Sequence, residues 1–244
     1  MNSYRKTASI VGAFFLTSNI AFILGAVIFI EPTLGATDYL SLVSANRTQI
    51  VFGVLLELIN GLAYLGIAVL MYPILNRRFE SLALGYVCFR IIEFVMQILG
   101  DLSPLSLLTL SEEFVRAGAP GSSAYPISGA ALLANRFWAF QMVSITLGLG
   151  ALLLYTMLYQ TRLVPRFISV WGFVGALIVL ANTMLDLFGY PPGNLGVIML
   201  LNELFLGIWL IVKGFNPSAT VFDTASAEID KVQIRQQKLS QDHP

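Results

Sequence analysis

The chain has 244 residues, 57% of them hydrophobic and 11% charged, with a mean hydropathy of +0.77. Soluble domains carry about 25% charged residues because a water-facing surface needs them, so this composition excludes a soluble globular domain. Fourteen basic and fourteen acidic residues cancel, which leaves no electrostatic case for a nucleic-acid partner.

Six apolar segments follow in chain order, at residues 8–30, 49–72, 82–108, 132–159, 167–187 and 195–212. Their lengths bracket the ~20 residues that cross hydrocarbon as a helix. The runs are continuous rather than alternating, and a helix satisfies its own backbone in lipid. The sequence therefore predicts an all-α integral membrane bundle of six transmembrane helices. Arg5 and Lys6 precede the first segment. Its apolar run exceeds the ~7–15 residues of a signal core, and no small-residue cleavage site follows, so it is expected to stay as a membrane anchor.

Between the spans, residues 37–46 (TDYLSLVSAN) have an N-cap and apolar spacing that predict a short interfacial helix. Residues 117–129 (AGAPGSSAYPISG) are rich in Gly, Pro and Ser and predict an irregular loop. Residues 1–215 are expected to form the membrane domain. Residues 216–244 are read as a polar cytoplasmic tail, disordered for want of apolar groups, with a frayed surface helix over 227–239 as the alternative. The only histidine is His243, and the only cysteine, Cys88, is expected to be a small buried hydrophobe.

Orientation follows from basic residues in short loops. Arg5, Lys6, Arg77, Arg78, Arg162, Arg166 and Lys213 flank one set of segment ends, against Arg47 and Arg116 at the other. Seven against two puts both termini on the cytoplasmic side of the membrane, in agreement with an even number of crossings. Trp171 and Trp209 then fall near the cytoplasmic ends of segments five and six, where aromatic belts sit.

The informative residues are polar and lie inside the apolar runs. Arg90, Glu93, Gln97 and Asp101 fall within an arc of about 80° on one helical face. Glu57 and Asn60 lie in the second segment, Arg136 and Gln141 in the fourth, Asn182 and Asp186 on one face of the fifth, and Glu203 in the sixth. At ~1.5 Å per residue these groups, Arg90 apart, sit in the middle or outer half of their spans. Each charge in the bilayer centre costs about 2.5–3.5 kcal/mol, so they must face inward. Arg90, Arg136 and at least two of Glu57, Glu93 and Glu203 are expected to join in one interior network. Arg90 and Glu93 have the i,i+3 spacing of an intrahelical pair, and Asp101 and Asp186 lie near enough to the outer boundary to be hydrated.

Catalytic readings meet obstacles. No histidine lies in any span, which removes the usual zinc ligand and the usual base for a Ser or Cys nucleophile. There is no phosphate-binding Gly loop. Glu57, Glu93 and Glu203 would suit a hard cation, but their spacing gives that site no support. No catalytic residue, metal site or cofactor is assigned.

Four stretches carry a family resemblance: residues 55–75 (LLELINGLAYLGIAVLMYPIL), 83–94 (ALGYVCFRIIEF), 162–176 (RLVPRFISVWGFVGA) and 202–219 (NELFLGIWLIVKGFNPSA). Together they resemble the bacterial family termed domain of unknown function 4386, over roughly residues 5 to 219. The resemblance implies a multi-pass bacterial membrane protein with no established activity and no defined catalytic residues. The expected function is binding or transport of a small molecule or ion through an outward-open polar pocket. Second comes a structural or regulatory membrane subunit whose charges only hold the bundle together, and third an intramembrane enzyme. The expected partners are the lipid bilayer and that ligand, with oligomeric state left open.

Overall fold

A computed structural model describes residues 3–118, 124–190, 193 and 195–219. Helix α1 (Ser3–Phe22) runs on through a π-helical stretch, Ile23–Ile30, into one turn, α2 (Glu31–Leu34). There follow α3 (Tyr39–Ala45), α4 (Arg47–Leu75), α5 (Glu80–Arg116), α6 (Ala124–Thr161), α7 (Arg166–Leu187) and α8 (Val197–Val212). No strand occurs among the described residues. Five helical stretches are long and apolar enough to cross a membrane, and α8, at 16 residues, is a shorter apolar helix. The protein is a helical membrane bundle of about six spans.

The long helices close into a ring. α1 packs on α4 and α8, and α4–α5, α5–α6, α6–α7 and α7–α8 complete the circuit. Small residues permit a close approach between α1 and α8. A Cβ on Gly12 would lie 2.5 Å from the carbonyl oxygen of Gly207, so the two backbones touch where any larger residue would separate them.

The two ends of the ring differ. At the end that carries the N-terminus, Arg5 donates to the carbonyls of Ile211 and Val212 at 2.9 and 2.8 Å, capping α8. Asn216 ties the chain after α8 to Leu163 through a 2.9 Å backbone bond. Below this cap the interior is apolar: Val11, Phe15, Met71, Leu154, Leu158, Leu206 and Leu210 are all buried. They enclose a void of only about 10 Å³, about enough for one water. At the opposite end, α3 is pinned to α5. The Ser44 N–H donates to Ser111 Oγ at 2.8 Å, and the Ser111 hydroxyl donates to the Leu40 carbonyl.

The structure revises several expectations. α5, with 37 residues, extends about 55 Å and overshoots the ~30 Å of hydrocarbon, so its last turns stand clear of the apolar run. Residues 124–129, expected as loop, form the start of α6. Pro126 is the third residue of that helix, where its missing N–H would have no helical partner. Cys88 is exposed rather than buried. It lies two residues, or about 200° of helical turn, from both Tyr86 and Arg90, whose face is the buried one. Asp101 is also buried, at 5% exposure, rather than hydrated. The tail expectations for residues 220–244, including 227–239 and His243, lie outside the described residues, as do positions 119–123 of the expected loop.

Candidate functional site

The charged groups expected to form one network, Arg90, Arg136, Glu57, Glu93 and Glu203, fall into two clusters instead. The first gathers around Arg136 on α6. Its guanidinium donates to both oxygens of Glu57 on α4, Nη2 to Oε1 at 2.8 Å and Nη1 to Oε2 at 3.2 Å. Nη1 also reaches Asp101 of α5 at 3.4 Å, and Nε reaches Glu31 at 3.1 Å. The Gln97 amide donates to the backbone carbonyl of Glu57, which stitches α5 to α4 beside the cluster. The Arg136 guanidinium also lies 4.5 Å from the centroid of the Phe140 ring, one turn along α6. Three carboxylates thus share one guanidinium, and Glu57 and Asp101 are both buried.

The second cluster lies deeper toward the terminal end. Arg90 Nη1 donates to both oxygens of Glu93 at 2.9 Å. Its guanidinium lies over the rings of Tyr64 and Tyr86, 4.4 and 5.4 Å from their centroids. Glu203 on α8 accepts from the Tyr64 hydroxyl and, at 3.4 Å, from Asn19 Nδ2 of α1. Its other oxygen, Oε1, is buried without a partner. Helical spacing builds this site: Glu57, Asn60 and Tyr64 recur on one face of α4, and Tyr86, Arg90, Glu93 and Gln97 on one face of α5.

A cavity of about 640 Å³ opens beside the second cluster. Every span of the ring contributes to its wall: Asn19 from α1, Asn60 and Tyr64 from α4, Glu93 and Gln97 from α5, Phe140 and Leu147 from α6, Val179 from α7, and Met199 and Glu203 from α8. Its rim includes Gly193 and Gly196 of the α7–α8 connection. α8 spans only about 24 Å, short of the ~30 Å of hydrocarbon. A second cavity, of about 390 Å³, is walled by Glu31, Arg136 and Gln141 and shares Phe22, Val27, Phe140 and Ser144 with the first. The two cavities are neighbours, the second bordered by the exposed Glu31 and the first by Glu93 and Glu203.

Gln141, Asn182 and Asp186 stand apart from both clusters. Gln141 donates to Asp186 across α6 and α7, and Asn182 accepts from the Gly193 N–H at 3.0 Å, holding the rim. Among the described residues, no group of three or more His, Cys, Asp or Glu side chains is placed to hold a metal ion. The sequence reading passed over Asn19, Glu31, Tyr64, Tyr86 and Tyr155 as site residues. Asn19 is a lone amide in an apolar run, and Tyr64 continues the face of Glu57 and Asn60, so both carried a legible signal. Tyr155 did not: its buried hydroxyl is known only from the packing.

No curated protein and no solved structure matches the chain. A family described as Domain of unknown function (DUF4386) matches residues 10–214, nearly the whole membrane domain with both polar clusters and the cavity. The chain therefore belongs to the DUF4386 family.

Proposed function

We propose that this protein binds a small molecule or ion in its central cavity, from the outer face of a bacterial cytoplasmic membrane, with both termini in the cytoplasm. The carrying observation is a cavity of about 640 Å³ that touches two buried carboxylates, Glu93 and Glu203. That volume is in the range of ligand sites, about 300–1,000 Å³. Ionisable groups at membrane depth are expensive to keep and mark ligand or ion pathways. The orientation rests on the seven-to-two basic bias. It is reinforced by charge pairing, because Arg47 and Arg116, the two basic residues at the outer end, are ion-paired to Glu112 and Glu113. Transport would further require the apolar plug of Phe15, Leu154 and Leu206 to part.

A structural role for the charges is the second reading, favoured by the close Arg90–Glu93 and Arg136–Glu57 pairs. The two readings part over ligand stabilisation. A compound that binds only the folded state raises its stability by RT ln(1 + [L]/Kd). A thermal-shift screen of metabolites and ions on the purified protein is expected to yield a stabilising compound whose effect is lost in Glu93→Gln or Glu203→Gln. If no compound stabilises the wild type, and neither variant alters the growth of cells that depend on the protein, the structural reading replaces this one.

A further inference from the structure

The central cavity carries enough chemistry to name the class of ligand, an inference that rests on the ligand-site reading above. Charge is the first constraint. Glu93 and Glu203 line the cavity, and no basic side chain is among the lining residues. The nearby Arg90 does not line it; Arg90 Nη1 is bonded to both Glu93 oxygens, and the guanidinium rests on Tyr64 and Tyr86. Glu203 is left with neutral donors only, Tyr64 and Asn19. An anionic ligand finds no counter-charge on this wall, whereas a cation does.

Hydrogen bonding is the second constraint. Two lining residues each have a buried oxygen without a partner, Glu203 Oε1 and Asn60 Oδ1. Both are acceptors, so the partner missing on this wall is a donor; the unpartnered donors of the same cluster, Arg90 Nε and Nη2, belong to a residue that does not line the cavity. At the start of α8, which also borders the cavity, three N–H groups are already satisfied. The N–H groups of Ile198, Met199 and Leu200 are closed on the carbonyls of Leu195 and Gly196. Of the rest of the wall, Gln97 and Ser144 are polar but neutral, and Phe140, Leu147, Val179 and Met199 are apolar. A bare inorganic cation would leave most of this volume unfilled.

We infer that the cavity takes a lipophilic primary or secondary ammonium. Its N–H groups donate to Glu203 Oε1 and Asn60 Oδ1, and its apolar body lies along Phe140, Leu147 and Val179. A primary or secondary ammonium satisfies both orphaned acceptors, and a quaternary one, with no N–H, satisfies neither.

The test uses four probes with one apolar body and different heads: 4-phenylbutylammonium, 4-phenylbutyltrimethylammonium, 4-phenylbutanol and 4-phenylbutyrate. Binding to the full chain in detergent is measured by calorimetry and by thermal shift. The primary ammonium is expected to bind about tenfold or more tighter than the other three. Glu203→Gln is expected to weaken it by about tenfold or more, as befits a lost charge-assisted hydrogen bond. Leu147→Trp, which fills the cavity and leaves both carboxylates in place, is expected to abolish binding and serves if Glu203→Gln does not fold. Equal binding of the four heads, or a series led by the alcohol or the carboxylate, overturns the ammonium assignment. If that binding is still lost in Leu147→Trp, the cavity remains a ligand site for another class. Ammonium binding unchanged in both variants is detergent partitioning and overturns the assignment. Binding of none of the four overturns it too, and the ligand-site reading falls with it only if the broad screen is also blank.

Discussion

Removing the Arg136 guanidinium tests how far the first cluster depends on one cation. Arg136→Met keeps the aliphatic stem and deletes the charge between Glu57, Asp101 and Glu31. The two bonds to Glu57, at 2.8 and 3.2 Å, are buried and charge-assisted, each worth about 1.5–3 kcal/mol. The 3.4 Å contact to Asp101 is longer and adds less. Glu31 has a side chain 57% exposed, so solvent screening holds its pair under about 1 kcal/mol. The expected loss is about 3–5 kcal/mol, the range for stripping one partner from a buried pair. Most of that loss reflects carboxylates left unpaired. Adding Glu57→Gln to Arg136→Met should therefore restore at least about 1.5 kcal/mol relative to additivity. Unfolding in mixed micelles titrated with dodecyl sulfate, followed by far-ultraviolet circular dichroism, reads all four corners of the cycle. A single variant within about 1 kcal/mol of wild type, or two strictly additive substitutions, refutes the reasoning.

Gly12→Ala should destabilise the bundle by about 1–3 kcal/mol in the same assay, because the new methyl meets the Gly207 carbonyl, which is backbone and cannot yield. Gly85→Ala should stay within about 1 kcal/mol, since its nearest neighbour, at 3.2 Å, is the flexible tip of Leu153. Single cysteines placed at Asp38 and at Glu80, in a Cys88→Ala background, should label with an impermeant maleimide from opposite sides of the membrane, Asp38 from outside. Labelling of both from one side contradicts the topology.

What the sequence made legible was periodic. The length of the apolar runs defined the spans, and the spacing of Arg90, Glu93, Gln97 and Asp101 defined an interior face of α5. The Arg90–Glu93 pair was readable because its partners are three residues apart on one helix. Arg136 was different, since helical spacing places a side chain on a face but does not say which helix lies opposite. Glu57, Glu93 and Glu203 were all open as its partners; the choice of Glu57, and the addition of Asp101 and Glu31, came only with the ring. The start of α6 was missed because residues 117–129 have a loop-like composition, and Pro126 counts against a helix only if it is not in the first turn. Cys88 was misjudged by its apolar neighbours, although its position opposite Arg90 already turned it outward. An interior polar pocket was expected from the buried charges, but its volume and its apolar wall were not legible. Its wall takes residues from all six spans, an assembly that no single segment records.

The central claim is that water and solutes reach Glu93 and Glu203 from the outer side. Ser144 lies where the two cavities meet, so its accessibility reports on that path directly. In Ser144→Cys with Cys88→Ala, an impermeant methanethiosulfonate ammonium reagent should modify the cysteine in right-side-out vesicles and not in inverted ones. Prior addition of a cavity ligand should slow that modification. A cysteine at this position that is inert from both sides, or reactive only from the cytoplasmic side, contradicts an outward-open binding cavity and leaves the buried charges as structure alone.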